Sequence, residues 1–263
     1  MKISLDDLLK DVKILAVVCC QRGDTGKGKI TDLLAEWADV IGRGTGGNNA
    51  GHTVNVNGKE YIFHLIPSGI IHDSSGKVNI LGNGMAIDPF ALCRELKQLD
   101  LYRLSCNNLM ISDRAHVIMP YHVKEDIERN VSQHVGGIGS TGKGIGPCYT
   151  DKIARRGITI GDLFKRDILV KKLRDVTEFY PEQNINVDNL VTYLALHVSE
   201  LKHFVRDTVS EMHRFVRDGK RIILEGAQGL HLSVEHGSGK YVTSSDCSVN
   251  GTASGVGLSA SAI

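Results

Sequence analysis

An α/β fold with a largely parallel central sheet is what the sequence predicts, and three observations carry that reading. Short continuous apolar runs such as Ile14–Cys20 and Arg221–Leu224 have the pattern of strands buried on both faces. Helical patterns alternate with them, the order that builds parallel sheets with flanking helices. Glycine clusters follow the runs, at Gly23–Gly28, Gly44–Gly51 and Gly226–Gly229. Open α/β sheets place their ligand loops there, outside the carboxyl ends of the strands.

The elements follow in order. After Ile14–Cys20 and its glycine turn, Ile30, Leu33, Leu34 and Trp37 recur at helical spacing and predict one buried helix face. Val40–Ile41 reads as a second strand. Thr53–Val56 and Tyr61–His64, joined at Asn57-Gly58, predict a β-hairpin with a tight primed turn. Val78–Leu81 and Leu109–Ser112 are further strands, and between them Asp88-Pro89 supplies an N-cap followed by proline at the first helical position. Asp188 to Arg217 is the longest helical pattern, stopped by Gly219, and Arg221–Leu224 follows as another buried strand. A single domain over residues 1–263 is expected. Gly251–Ile263 turns small and apolar and stops as another helix begins, so that domain is expected to be incomplete at its C-terminus.

Composition narrows the function. With 31 Lys and Arg against 30 Asp and Glu, the chain shows no basic excess that would predict a nucleic-acid partner. Aromatic residues are only 5%, so base-stacking platforms are not advertised. The longest apolar stretch, Ile14 to Cys20, is far short of the ~20 residues that span a bilayer. The opening MKISLDDLLKDVK has no export-signal core. The six cysteines form no CxxC pair, which predicts reduced thiols in a cytoplasmic protein with no membrane partner. Glycine, at 29 of 263 residues, exceeds the usual ~7% and points to backbone used as a ligand surface.

Four constellations carry chemistry. In Gly23-Asp24-Thr25-Gly26-Lys27-Gly28-Lys29, glycines let the backbone wrap an anion, the following helix start directs N–H groups at it, and lysines neutralise it. Gly23, Gly28 and Lys29 fit the phosphate-loop pattern, but Ile30 stands where Ser or Thr would hold magnesium, which disfavours a plain P-loop GTPase. Asp24 inside an anion cradle repels the ligand unless it holds a metal or takes a proton; otherwise it is an ordinary turn aspartate. In Gly44–Thr53, Asn48 and Asn49 lie between glycine pairs and His52 follows Gly51. That histidine is a candidate donor to a phosphoryl oxygen or a general acid, against the alternative of a merely solvated side chain. Gly136–Gly146 carries Ser140, Thr141 and Lys143 and leads towards Lys152, Arg155 and Arg156, a second anion-binding surface or else a surface loop. Glu225-Gly-Ala-Gln228-Gly and Tyr241-Val-Thr243-Ser244-Ser245 offer amides and hydroxyls suited to a sugar or base.

Taken together, GDTGKGK, NNAGHT, HLIPSGI, GSTGKGIGP with DKIARRG, EGAQG and YVTSS, in this order from about Ile14 onward, resemble adenylosuccinate synthetase. The resemblance implies a P-loop-like ligase fold in which GTP phosphorylates the 6-oxygen of IMP and the amino group of L-aspartate displaces the phosphate. It implies that Asp24 takes the N1 proton of IMP and coordinates Mg2+ together with the carbonyl of Gly51, and that His52 acts as the acid at the transferred phosphoryl group. Gly23, Asp24, Thr25, Gly26, Lys27, Gly28 and Lys29 would hold GTP phosphates, with Gly51, His52 and Thr53 also contacting GTP. Asn49, Thr141, Gln228 and Thr243 match positions that hold IMP, and Asp24, Thr25, Gly26, Lys27, Ala50, Gly51 and His52 would border it. Arg155 matches an arginine supplied across a homodimer interface to the partner's IMP phosphate.

There are departures from the family's pattern. Arg22-Gly23-Asp24-Thr25 stands where Trp-Gly-Asp-Glu is usual, Lys143 where many members have Arg, and Asn48 where many have His. The family's aspartate-binding loop and guanine-reading motif are not found in these residues. Two alternatives follow: a catalytically inactive nucleotide-binding remnant, or a relative acting on dGMP, against which Asp24 argues.

Overall fold

Six short strands pair in parallel to form the centre of the molecule. The computed structural model describes residues 5–56, 58–131 and 139–263. In chain order the sheet strands are β1 (Ile14–Val17), β2 (Val40–Arg43), β5 (Val78–Leu81), β7 (Leu109–Ser112), β9 (Val205–Arg206) and β10 (Ile222–Glu225). They lie side by side as β1-β10-β2-β5-β7-β9. Every residue of β2 and of β10 is buried, as a central parallel strand covered on both faces requires. The hairpin β3 (His52–Val56) and β4 (Lys59–Phe63) stands apart as an antiparallel pair, with Gly58 at φ +78°. Asn57, the other half of the expected turn, lies outside the described residues. Two-residue strands β6 (Ala86–Ile87) and β8 (His116–Val117) pair in parallel.

Helices α1 (Leu5–Leu8), α2 (Lys27–Ala35), α3 (Pro89–Tyr102), α4 (Pro120–Val131), α5 (Ile145–Ile153), α6 (Arg166–Phe179), α7 (Val187–His197), α8 (Thr208–Arg217) and α9 (Val249–Ser254) complete the element order. α3 starts as its sequence predicts. Asp88 accepts from the N–H groups of Phe90 and Ala91, and Pro89 occupies the first turn. Glu95 of the same helix, buried, accepts from the N–H groups of His64, Leu65 and Ile66. That carboxylate fixes the chain leaving β4, and with it the hairpin that carries His52. Burial raises the Glu95 pKa, against the pull of these backbone donors.

Two expectations are corrected. The long helical pattern from Asp188 to Arg217 divides into α7, a 3₁₀ segment Ser199–Phe204, the strand β9 and α8. Val205 and Arg206 pair with Ile111 and Ser112 at the sheet edge. Asp207 then caps α8 by accepting from the N–H and hydroxyl of Ser210, and this local bond starts a new helix. The second correction concerns α2. Its buried face is Gly28, Thr31 and Ala35, whereas Ile30 and Leu33 are 48% and 55% exposed. α2 packs against β3, β10 and the 3₁₀ segment Ser68–Ser75. An approach this close favours small residues, so the larger apolar ones face away. Trp37, beyond the helix, is buried as expected. All six cysteines are free thiols. No helix among the described residues is long and apolar enough to cross a membrane.

Candidate active site

The glycine loops after β1, β2 and β10 converge on one cavity of about 500 Å³. Main-chain bonds hold two of these loops together beyond the sheet. Val17 accepts from Gly226 N–H at 2.9 Å, Cys19 from Leu230 at 2.8 Å and Gln21 from His231 at 3.0 Å. The parallel pairing of β1 with β10 thus continues into the loops and brings Gln228 over Gly23. Gly23 is left-handed at φ +89°, and a Cβ there would lie 3.3 Å from the Gln228 carbonyl carbon. Lys27 Nζ donates to the Gln228 carbonyl. Burial lowers its pKa, partly opposed by Cys19 and Glu225.

Gly23, Asp24, Thr25, Gly26, Lys27, Gly28, Lys29, Asn49, Ala50, Gly51, His52, Thr53 and Gln228 all line this cavity. Every residue expected at the phosphate-loop end is therefore in one place. Asp24 and Gln228 have left-handed backbones, at φ 52° and 49°, a conformation that costs of order 1–3 kcal/mol outside glycine and clusters at functional sites. Gly28 admits His52 to the site: a Cβ at position 28 would stand 3.0 Å from His52 Cβ and 3.1 Å from Ser68 Oγ. Burial pushes the His52 pKa down to about 4, although Glu225 pulls it upward. Its Nε2 lies 3.6 Å from Glu225 Oε1, beyond hydrogen-bond range, and makes no hydrogen bond among the described residues. The side-chain oxygens of Asn49 and Gln228, and the Gln228 amide nitrogen, are likewise buried without partners there. Buried polar groups left so cost ~1–3 kcal/mol each, so these are the groups a polar ligand would satisfy.

Three charged residues of this cavity, Arg22, Arg43 and Glu225, lie outside the set of site residues expected from the sequence. Arg43, at the end of β2, is fully buried and donates to the carbonyls of His64 and Leu65. Glu225, at the end of β10, is buried and accepts from the N–H of Ser68 at 3.0 Å. The available signal was a charge ending an otherwise apolar strand, in VIGR and IILE.

A second cavity of about 330 Å³ shares Asn49 and Gln228 with the first. Its other walls include Thr141, Thr243, Ser140, Ser244, Asp126 and Arg129. Thus the four residues expected to hold IMP, far apart in sequence, border this one space. Asp126, buried on α4, grips the glycine loop through the Ser140 hydroxyl and, at 2.8 Å, the Gly144 N–H. Asn130 one turn later both donates to the Ser140 carbonyl and accepts from its N–H. Asp126 and Arg129 went unassigned in the sequence; their i, i+3 spacing on a helix beside a glycine loop was the signal. Lys143 and Arg155 are exposed and border neither cavity. Arg156 turns inward to Asp151. The start of the third glycine cluster, Gly136 to Ile138, lies outside the described residues.

The family model for adenylosuccinate synthetase matches residues 16–263. The chain belongs to the adenylosuccinate synthetase family. The adenylosuccinate synthetase of Lysinibacillus sphaericus is 42% identical over 257 residues, covering 95% of this chain and 59% of that protein. That of Thermoanaerobacter sp. is 42% identical over 252 residues, covering 93% and 59%. Among solved structures, fully ligated adenylosuccinate synthetase from Plasmodium falciparum superimposes with a TM-score of 0.84 at 32% identity, over 95% of this chain and 59% of that one. The succinoaminodeoxyadenylate synthetase of cyanophage S-2L, bound to dGMP and dATP as an energy donor, gives 0.65 at 25%, over 95% and 61%. The 263 residues thus span about 59% of the length of these curated relatives.

Proposed function

We propose that residues 1–263 form the nucleotide-binding domain of a GTP-dependent ligase that joins IMP and L-aspartate through 6-phosphoryl-IMP. The observation that carries this reading is the pair of linked cavities. Asp24 and His52 line one, Thr141 and Thr243 the other, and Asn49 and Gln228 border both. A phosphate donor in the first and a nucleotide in the second would meet at those shared amides.

In this reading Asp24 removes the N1 proton of IMP, which makes the 6-oxygen nucleophilic towards the γ-phosphate of GTP. The loop from Gly23 to Lys29, with Thr53, holds the phosphates through backbone N–H groups and lysine charge. His52 stabilises the transferred phosphoryl group. It is neutral at pH 7 where burial dominates, and phosphate charge arriving beside it favours its protonated form. The amino group of aspartate then displaces phosphate from the purine. Asn49, Ala50, Thr141, Gln228 and Thr243 orient IMP, and Arg155 completes the phosphate site of a homodimer partner.

The donor set fits Mg2+. The Asp24 carboxylate and the main-chain carbonyl of Gly51, both hard oxygen donors, belong to residues that border one cavity. Such a sparse set of hard oxygen donors suits an ion that keeps several waters and phosphate oxygens as ligands. When bound, Mg2+ neutralises charge on the transferring phosphoryl group. The free thiols support a cytoplasmic location.

The test is phosphate release by this chain with GTP, IMP, aspartate and Mg2+, each omitted in turn. Release that needs all four supports the ligase. Calorimetric binding of IMP without release identifies a nucleotide-binding portion whose turnover needs further polypeptide. Preference for dGMP over IMP would assign the chain to the chemistry of the cyanophage relative instead.

A further inference from the structure

Beneath the turn that carries Arg155 is a buried polar network whose own residues line neither cavity. Its centre is the Asp151 carboxylate, on α5 and fully buried. Oδ1 accepts from Arg156 Nε at 2.7 Å and from the Tyr180 hydroxyl at 2.8 Å, and Oδ2 pairs with His122 Nε2 at 2.9 Å. The other ring nitrogen of His122 accepts the Met119 N–H at 3.0 Å. The imidazole proton therefore sits on Nε2 and is donated to Asp151. The Asp151 main chain takes part as well, its carbonyl accepting from the N–H groups of Arg156 and Gly157 at 3.0 and 3.1 Å. Arg156 lies over the rings of Phe179 and Tyr180, at 4.7 and 5.6 Å from their centroids.

These bonds fold the chain back after α5 and turn Arg156 inward. Arg155, between Ala154 and Arg156, is left exposed with φ at +63°. Left-handed backbone just past a helix is ordinarily a glycine position, because a Cβ there costs ~1–2 kcal/mol. The conformation alone marks nothing, since Arg103 adopts φ 58° at the end of α3. The two turns differ in what holds them. At Arg103 the turn is closed by main-chain bonds to Asp100 and Leu99 and by Lys59 on the Tyr102 carbonyl, whereas the turn at Arg155 lies over a buried carboxylate satisfied by three side chains, from α4, from the chain after α6 and from its own turn. A buried ionic group is a weak source of stability compared with apolar packing of the same volume. What it holds here is the course of the main chain at the turn, through the bonds of Asp151 to Arg156 and Gly157.

We infer that Asp151, with His122, Tyr180 and Arg156, forms a positioning network that presets Arg155 to meet the phosphate of IMP in a partner subunit. The inference rests on the proposed reading in which Arg155 reaches across a homodimer. Its residues touch neither cavity, and they act through the turn.

A double-mutant cycle on IMP affinity, measured by calorimetry on the 263-residue chain, tests it. The variants are Tyr180→Phe, Asp151→Asn, Arg155→Ala and each of the first two combined with Arg155→Ala. Tyr180→Phe removes one hydroxyl and keeps the ring, so the test survives if Asp151→Asn fails to fold. Arg155→Ala is expected to weaken IMP binding. Tyr180→Phe is expected to weaken it about three- to tenfold, a part of the worth of one hydrogen bond to a charged group, and to have no further effect once Arg155 is alanine. An equal effect of Tyr180→Phe in both backgrounds would show general destabilisation and overturn the inference, as would no effect in the parent chain. Unchanged affinity in Arg155→Ala would remove the cross-subunit role itself and the inference with it. Failure of the parent chain to bind IMP would reject the proposed function, an outcome distinct from the others.

Discussion

The two cavities meet at Asn49 and Gln228 but are held open by different means. The Asp24 cavity is framed by main chain at the carboxyl ends of β1, β2 and β10, and its loops are joined by backbone bonds that extend the sheet pairing. The Thr141 cavity is framed by side chains, with Asp126 and Asn130 of α4 gripping the Ser140–Gly144 loop. A backbone cradle tolerates many side chains but demands glycine at the close approaches. A cradle held by side chains fails when one carboxylate is removed. Phosphates, recognised by N–H groups, suit the first design, and a sugar or base with directional hydrogen bonds suits the second.

The largest expected effect separates chemistry from architecture in the first cavity. Asn tolerates left-handed backbone, so Asp24→Asn keeps the loop and removes only the charge. Phosphate release should fall by roughly 10²–10⁴-fold, the usual contribution of a general base, with the thermal midpoint unchanged. Turnover close to that of the parent chain would dismiss Asp24 as the base. In the second cavity Asp126→Ala leaves the Ser140 hydroxyl and the Gly144 N–H without their acceptor. Stability should drop by about 2 kcal/mol and IMP binding should weaken with it. A urea titration showing no change would mean that the loop is held by other means.

Gly28→Ala sets two effects against each other. Alanine favours α2 by up to ~1 kcal/mol, yet its Cβ would crowd His52 at 3.0 Å. Stability should therefore change little while turnover drops about tenfold, as small misplacements at a reacting centre commonly cause. Equal losses in both would place the strain elsewhere.

The smallest effect is on acid stability, and it involves His52 of the first cavity and His116 on β8, which borders neither cavity. Burial, with Lys152 and Lys172 assisting and Asp162 opposing, holds the His116 pKa down at about 4. His52 in the first cavity is lowered to about 4 as well. The unfolded chain protonates both near pH 6.5. Their contribution is therefore complete above about 6.5 and lost as pH falls towards 4, where the unfolded state binds more protons. His116→Gln should reduce the slope of stability against pH in that window by roughly half, His52 supplying the rest. Denaturant midpoints at pH 7 and pH 5 measure this, and an unaltered slope would exclude His116 as a contributor.

Much of this was legible in the residues themselves. The strands at Val78–Leu81 and Leu109–Ser112, and the capped start of α3, stand as read. Periodicity and capping are local, and each residue carries its own signal. The gathering of the Gly23–Lys29 loop at the first cavity was legible for the same reason, since glycine spacing reports a backbone shape. Arg43, Asp126 and Arg129 were not, and Glu225 was read only as part of its motif, because a charge at a strand end or on a helix gains its meaning from a partner far along the chain. Glu225 and Ser68 are 157 residues apart.

By itself, then, the sequence determined the alternation of strands and helices and the glycine loops that follow the strands. Tertiary structure decided which side of each element is covered. It turned Ile30 and Leu33 outward because α2 packs closely through Gly28, Thr31 and Ala35. It divided one helical pattern around β9 because Val205 and Arg206 found strand partners in β7. It also brought Thr141, Gln228 and Thr243 to a single cavity wall. Local propensity is a weak preference per residue, and contacts between distant segments, each satisfying several groups at once, override it.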